Sequence, residues 1–452
     1  MPQRFDPEAW RDQPAEAFEW LDAHVNLESL GVPAGQERRA TRPTLARMEA
    51  LAALLGSPQL DYGVIHLTGT NGKTSVARIA TEVLVEAGVA TGTYTSPHLE
   101  RVNERMSWNG VPIDDVTLAA SLGQIALIEP HLPAVPSYFE ILTGAALTWF
   151  ADVAVDAAVV EVGLGGTWDA TNVVNGDVAV VTNVSIDHVD YLGSSREAIA
   201  TEKAGIVKPG CVLVLGETDP ALTSIFTDRE PATVWLRDRD FGVRRNDTAH
   251  GGRVVDLYTP GAEYTEIFLS LHGAHQADNA AVALAAAEAF TGAPFSADLV
   301  AEVMGRVRSP GRLEVVGHAP LIVLDGAHNV AGARALAAAM ANEFAIADRT
   351  LVVGLLREKD PSEMLKALDA VHAARIVCCA PPSARARDPQ ELAAAARALG
   401  VDAARVEVVD DVADAMDCAV SRTPASGQIV VTGSLYVVGA ARAALGVGGG
   451  RA

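Results

Sequence analysis

Short apolar runs alternate with alanine-rich stretches along most of the chain. Val64–Leu67 reads as a buried strand. A glycine-rich turn follows it and leads into a helix over Thr74–Ala87 that stops at Gly88. Thr91–Thr95, Ala157–Val162, Val178–Val184 and Val212–Leu215 are further strands of this kind. The alternation predicts an α/β fold built from βαβ units around a mostly parallel sheet. A polar stretch from Leu236 to Glu266 breaks the pattern, and its alternation (RVVDLYTP, EYTEIFLSL) predicts a small antiparallel meander. A helix through Asn279–Phe290 comes next. Arg306–Arg312, RVRSPGR, has the proline, glycine and charge of a linker. Beyond it strands are expected at Leu321–Leu324, Thr350–Val353, Arg375–Cys379, Val406–Val409 and Ile429–Val431, with a helix at Ala331–Ala341. The chain is therefore expected to divide into a larger unit, residues 1–308, and a smaller α/β unit, residues 309–452. The tail GVGGGRA is expected to fray.

Composition sharpens this picture. The chain has 452 residues, 49% of them hydrophobic and 20% charged, which suits two or three domains with full cores and not a disordered chain. Its 35 basic and 57 acidic side chains leave a net charge of −22, which argues against a nucleic-acid partner. If the ligands are anionic, local positive charge must overcome that field. Cys211, Cys378, Cys379 and Cys418 show no CxxC spacing and no disulfide framework, so a reducing compartment is the simplest reading. The N-terminal stretch is charged throughout, and no apolar run reaches membrane-spanning length. A cytoplasmic protein without a membrane partner is expected.

Several strand ends carry candidate chemistry. In HLTGTNGKTS, His66–Ser75, a strand runs into a glycine-rich turn, Lys73-Thr74 and a helix. Backbone amides and a helix N-terminus can bind an anion there, with Lys73 reaching phosphate oxygens. Leu67 stands where a Walker-type loop has its first glycine, and a tight turn with a surface lysine is the alternative. AAVVEVGLGGTWDATN brings Glu161 to the end of a buried strand, where it can hold Mg²⁺ or simply face solvent. Asp187 and His188 are placed at the end of another strand, and His188 is as readily structural as metal-ligating. Lys203 lies in EKAGIVKPG, and Ser96 in SPH after a strand, either as a metal-reaching hydroxyl or as turn punctuation. Arg312 in SPGR suits a phosphate contact or a solvated linker charge, and Asp325 and His328 lie in LDGAHN at a strand end. Together these point to a cleft between two α/β units.

The segments HLTGTNGKTS, YTSPHLERVNERM, SYFEILT, EVGLGGTWDATNVV, DHVDYLG, EKAGIVKPG, HQADNA, SPGRLEVV, LDGAHN and VTGSLYVVG follow one another in this order. In this the chain resembles the folylpolyglutamate synthase/dihydrofolate synthase family of the Mur ligase superfamily, over roughly residues 18–442. The resemblance implies a Mur-ligase-like P-loop ATPase domain that also binds pterin, joined to a smaller C-terminal Rossmann-like ligase domain. It implies an ATP- and Mg²⁺-dependent amide ligase that adds L-glutamate, through an acyl phosphate, to 7,8-dihydropteroate and to the γ-carboxylate of reduced folates. Carried over by motif, Gly69, Thr70, Asn71, Gly72, Lys73, Thr74, Ser75, Asn279, Arg312, Asp325 and His328 would bind ATP. Ser96, Glu161, His188 and a carbamylated Lys203 would organise the metal, and Lys73, Glu161, His188 and Lys203 would form the catalytic set. Phe139, Asp169 and Ala170 would line the pterin pocket. A monomer is implied.

Three departures from the family pattern stand out. Thr167-Trp168 replaces the usual Arg-Leu, Arg357-Glu358-Lys359-Asp360 differs from the commoner Asp-Lys-Asp form, and NLESLGVPAGQERRATRPTLARM follows the family's entry segment only loosely. That entry segment helps bind dihydropteroate in bifunctional members. Three alternatives stay open at this point: a folylpolyglutamate synthase alone, another Mur-type amino-acid ligase, and a nucleotide-binding protein without catalysis.

Overall fold

The structure is a computed structural model that describes residues 7–30 and 45–447. The first residues, most of the entry segment after Leu30 and the tail from residue 448 lie outside the described residues. Strands β1 (Gly63–Thr68), β2 (Thr91–Tyr94), β3 (Met106–Trp108), β4 (Val111–Pro112), β5 (Ala157–Glu161), β6 (Val178–Val181), β7 (Val212–Leu215) and β8 (Thr233–Leu236) form one sheet in the order β4-β3-β2-β5-β1-β6-β7-β8. From β2 to β8 every pairing is parallel, and β3 and β4 add an antiparallel hairpin at one edge. Strands β9 (Gly242–Ala249), β10 (Gly252–Tyr258) and β11 (Glu263–Leu269) make an antiparallel meander. Strands β12 (Glu314–His318), β13 (Leu321–Leu324), β14 (Arg349–Val353), β15 (Arg375–Cys378), β16 (Val406–Val408) and β17 (Gln428–Thr432) form the second sheet, ordered β12-β13-β17-β14-β15-β16. Only β12 runs antiparallel in it.

The α/β architecture expected from the alternation is therefore present. β1, β5, β6 and β17 are buried along nearly their whole length, as strands covered by helices on both faces must be. One face of the first sheet packs against helices Lys73–Glu86 and Ala274–Thr291. The opposite face packs against helices Asp115–Ile128 and Tyr138–Asp152. The alanine run of helix Ala274–Thr291 has a mechanical consequence. Small side chains let this helix sit between the sheet and the meander, whose Val255, Leu257, Tyr264, Ile267 and Leu269 share its core.

Some boundaries differ from expectation for identifiable reasons. The strand read as Val178–Val184 ends at Val181, because Thr182 and Asn183 turn their side chains onto the Asn71 carbonyl at 2.6 and 2.8 Å. Asp187 and His188 consequently sit in a loop, not at a strand end. Leu236 closes β8 of the first sheet, so the meander starts only at Gly242. The helix expected from Asn279 begins at Ala274. The linker is anchored and not free: Arg306 ends a helix, Ser309 is buried against Ser75 at 3.1 Å, and the Gly311 carbonyl accepts from the Gly326 amide at 2.8 Å.

The two sheets also share apolar contact. Leu99, in the loop after β2, packs into the core of the second sheet with Val438 and Val437. Gly439 makes room for it, since a Cβ at 439 would collide with the Leu99 carbonyl. Gly439→Ala must push backbone against backbone, a cost of about 1–3 kcal/mol for an overpacked contact. A correspondingly lower midpoint in urea unfolding is expected, and an unchanged midpoint would show that this contact is dispensable.

Candidate active site

The turn after β1 is shaped by two close approaches. Gly72 has φ +84°, and a Cβ there would strike the Asn279 side chain. A Cβ at Gly69 would overlap the Thr182 hydroxyl. Glycine is therefore required by geometry at both places. Gly72 caps helix Lys73–Glu86, so Lys73 opens the helix and does not lie in the loop before it. Its ammonium folds back onto the Gly69 and Thr70 carbonyls at 3.1 and 3.4 Å. The uncapped amides of this helix face the cleft, an arrangement suited to an anion.

Glu161 stands at the end of β5, adjacent to β1, and is 1% exposed. It accepts from the Thr74 hydroxyl at 3.1 and 3.0 Å and from the Ser96 amide at 3.4 Å. Burial raises its carboxyl above the ordinary value, against the opposing pull of Lys73, Thr74, Ser96 and Arg312. Such a carboxylate gains from a nearby cation. Among the described residues, no three His, Cys, Asp or Glu side chains gather closely enough to hold a metal by themselves. One carboxylate with the Thr74 and Ser96 hydroxyls fits a hard cation that takes its other ligands from phosphate oxygens and water.

Lys203 is 3% exposed and donates to the same Gly69 carbonyl at 2.8 Å. Burial, followed by the charge of Lys73, lowers its pKa to about 7. It borders a small cavity of about 40 Å³ shared with Gly69, Lys73, His188 and His328. His188 has φ +50° and a 39% exposed side chain. Loss of water around the ring, then Lys359, His328 and Lys73, lower its pKa, while Asp187 opposes them. The ring is a neutral imidazole at physiological pH.

The second sheet contributes from the ends of its own strands. Asp325, just after β13, is buried and accepts from the Leu313 and Ala327 amides at 2.9 Å each. Both bonds stay within the smaller unit, so Asp325 ties the loop carrying Arg312 to the loop carrying His328. The His328 Nδ1 meets the Gly326 carbonyl at 2.9 Å, and burial is the main cause of its pKa falling to about 4. Asn279 lies across from these groups on helix Ala274–Thr291 and donates to Gln276 at 3.0 Å.

Asp169 is held by its own loop. It accepts from the Leu164 amide at 2.8 Å, the Thr171 amide at 3.0 Å and the Thr171 hydroxyl at 2.5 Å. With its proton given to Asp169, the Thr171 oxygen accepts from the Nε2 of buried His66 at 2.9 Å, which fixes that ring's tautomer. Phe139 packs beside Gly163, where a Cβ would meet the ring.

One cavity of about 520 Å³ takes in Thr70 through Ser75, Ser96, Phe139, Glu161, Asp169, Ala170, His188, Asn279, Arg312, Asp325 and His328. Gly69 and Lys203 lie on the smaller cavity next to it. All the residues singled out from the sequence thus converge. Others were passed over. Lys359 reaches Asp187 at 2.6 Å, and Asn329 donates to both Asp187 and Asn71 at 2.9 Å, tying the second sheet to the phosphate loop. Burial opposes ionisation of Asp187, yet His188, His328 and Lys359 hold its carboxyl well below the usual carboxylate range. Asn329 lies in LDGAHN after β13 and Lys359 in Arg357–Asp360 after β14, and those positions are the sequence signal for them. At the far end of the cleft Glu28 receives Arg105 at 3.0 Å, and its backbone carbonyl accepts from Arg385 at 2.7 Å and Tyr436 at 3.2 Å. No periodicity could have announced these long-range pairs.

Residues 67–287 match the Mur ligase middle domain, and residues 311–435 the glutamate ligase domain of Mur ligases. The dihydrofolate synthase/folylpolyglutamate synthase of Mycobacterium tuberculosis is 42% identical over 442 residues, covering 89% of this chain and 90% of that protein. A structure of M. tuberculosis folylpolyglutamate synthase complexed with ADP superposes with a TM-score of 0.88 at 39% identity, over 99% of this chain and 100% of the other. A bifunctional folylpolyglutamate synthase/dihydrofolate synthase from Yersinia pestis, complexed with AMPPNP and a Mn ion, gives 0.81 at 27% identity, over 96% and 98%. This chain belongs to the dihydrofolate synthase/folylpolyglutamate synthase family of ATP-dependent Mur-type ligases.

Proposed function

We propose that this protein is an ATP-dependent ligase that adds L-glutamate to 7,8-dihydropteroate and to the γ-carboxylate of reduced folates. One observation carries the reading. The phosphate loop of the first sheet and the Arg312 and His328 loops of the second line a single cleft of about 520 Å³. In the reaction a carboxylate oxygen of the acceptor attacks the γ-phosphorus of ATP and ADP leaves. The glutamate nitrogen then attacks the acyl carbon, the carbon–oxygen bond to phosphate breaks, and the amine loses a proton.

The chain's own groups suit those steps. The loop amides and Lys73 hold phosphate oxygens in place, and Arg312 approaches from the other wall, so charge that spreads in transfer meets fixed donors. Glu161, Ser96 and Thr74 would hold a divalent cation, Mg²⁺ in this proposal, with neutral His188 beside them. Bound there, it neutralises phosphate charge and orients the oxygens. Phe139, Asp169 and Ala170 form the pterin wall, and Asn279, Asp325 and His328 the nucleotide wall. We assign residues 1–308 to the ATP- and pterin-binding domain and 309–452 to the ligase domain, in a cytoplasmic monomer. No helix among the described residues is long and apolar enough to cross a membrane.

Lys203 fits a carbamate. Its amine is buried, drawn toward neutrality and next to a small cavity, and neutral amine is the form that adds carbon dioxide. Carbamylation would turn a second cation beside Lys73 into an anionic oxygen ligand.

Three tests follow from these assignments. Incubation with ATP, L-glutamate and either dihydropteroate or tetrahydrofolate should release ADP and phosphate and yield an acceptor longer by one glutamate. Turnover with tetrahydrofolate alone would remove the dihydropteroate half, and no folate-dependent ADP release would remove the reading. Lys73→Ala should lower kcat by about 10²–10³-fold, the usual loss for a donor to transition-state charge, with an unchanged circular dichroism spectrum. Near-normal turnover in that variant would refute its role. Intact mass measured under native conditions should show one added carbon dioxide that Lys203→Ala lacks, and active protein without that mass would exclude the carbamate.

A further inference from the structure

A second group of buried charges lies away from the phosphate loop, where the meander meets the smaller unit. Glu343 follows helix Val330–Asn342, and its side chain is 2% exposed. Its carboxylate pairs with Arg253 of β10 and with the His272 Nδ1 at 3.1 Å. It also accepts from the Gly273 amide, at 3.0 and 3.1 Å to its two oxygens. Gly273 directly precedes helix Ala274–Thr291 as its N-cap. Arg253 in turn bonds Asn246 through its Nε and, at 3.0 Å, donates from Nη2 to the Asn246 carbonyl. The Asn246 amide then donates to the Ala274 carbonyl at 2.9 Å. One carboxylate from the smaller unit therefore fixes the first residues of a helix in the larger one, directly and through Arg253 and Asn246.

These two helices form facing walls of the cleft. His275, Gln276 and Asn279 line it from one side, and Ala331, Gly332, Ala335 and Leu336 from the other. The helix that Glu343 terminates is pinned at its other end too, where Asn329 bonds Asn71 and Asp187. Thirteen residues separate the pins, a rod of about 20 Å at the usual rise. Glu343 itself does not line the cavity.

We propose that Glu343 is a positioning residue that sets the spacing of the two nucleotide-facing helices and so holds the ATP side of the cleft closed. The proposal rests on ATP occupying the space between these helices, the reading given above. Removing the carboxylate leaves the Arg253 cation, 6% exposed, without its counter-charge, and frees the Gly273 amide.

The test uses the full chain carrying Glu343→Ala or Glu343→Gln. Hydrogen exchange is followed over residues 273–279 without nucleotide, and steady-state kinetics are measured with ATP and a folate acceptor varied in turn. Glu343→Ala should exchange faster at 273–279 and raise the ATP KM by about 10-fold, within the usual range for coupling between sites. Its kcat and folate KM should stay close to wild type. Glu343→Gln keeps an oxygen for the Gly273 amide and should lie between the two. An unchanged ATP KM overturns the proposal, as does a parallel loss for ATP, folate and kcat alike. If Glu343→Ala does not fold, Glu343→Gln decides on the same criteria. A wild-type protein without ATP-dependent turnover would fail the nucleotide reading itself, whereas normal wild-type turnover with unaltered variants fails only the positioning role.

Discussion

The carboxyl-terminal edges of two separate sheets have to face each other, and Asp187 is the buried charge that joins them beside the phosphate loop. Its carboxylate takes Lys359 at 2.6 Å and Asn329 at 2.9 Å from the smaller unit, and the amide of its neighbour His188 at 2.8 Å. Asn329 also holds Asn71 in the phosphate loop. A buried carboxylate is costly unless it is paired and hydrogen-bonded. The Lys359 and Asn329 part of that pairing is supplied when the second sheet is docked, so closure and ionisation support one another. Apolar contact adds to this through Leu99 but does not replace it, because Leu99 lies on the loop carrying Ser96 and not on the phosphate loop.

The same arrangement answers the question raised by a net charge of −22. Every substrate of the proposed reaction except the zwitterionic amine end of glutamate is an anion, so long-range attraction cannot collect them. At physiological ionic strength the field of surface carboxylates decays over about 8 Å. Inside the cleft the field is set by Lys73, Arg312, loop amides and the start of a helix. Two lysine amines, Lys73 and Lys203, share the Gly69 carbonyl. Two ammonium groups there would repel, and burial resolves the conflict by drawing Lys203, the more deeply buried of the two, toward neutrality. That lowers the repulsion between the two amines beside the carbonyl they share.

Much of the fold and of the site was legible because it depends on local rules. Period and length marked β1, β5, β7, β13 and β14 within a residue or two, and glycines that must approach a partner closely marked the turn around Gly69 and Gly72. Strand ends then pointed to Glu161 and His328, and the SPGR linker to Arg312. What stayed hidden depends on distance in sequence. Asp187 finds Lys359 across 172 positions, and Asn71 finds Asn329 across 258. No window of residues contains both members of such a pair. Even the misjudged end of β6 has this origin, since Thr182 and Asn183 leave the strand to bind a loop more than a hundred residues earlier.

Helix Ala274–Thr291 shows how packing and site geometry are joined. Its alanines let it lie close to both the sheet and the meander, which fixes its lateral position. They do little to fix its end, because a surface of methyl groups offers few ridges to interlock. No side chain caps the helix either, and Gly273 before it has no side chain to do so. The end must therefore be held from outside, and the groups that hold it, Asn246 and Glu343, come from the meander and from the smaller unit. Gly72 and Asn279 meet one turn further along, where any drift of that end would widen the gap beside the phosphate loop. A core built for close approach thus makes the site sensitive to a carboxylate that never reaches it.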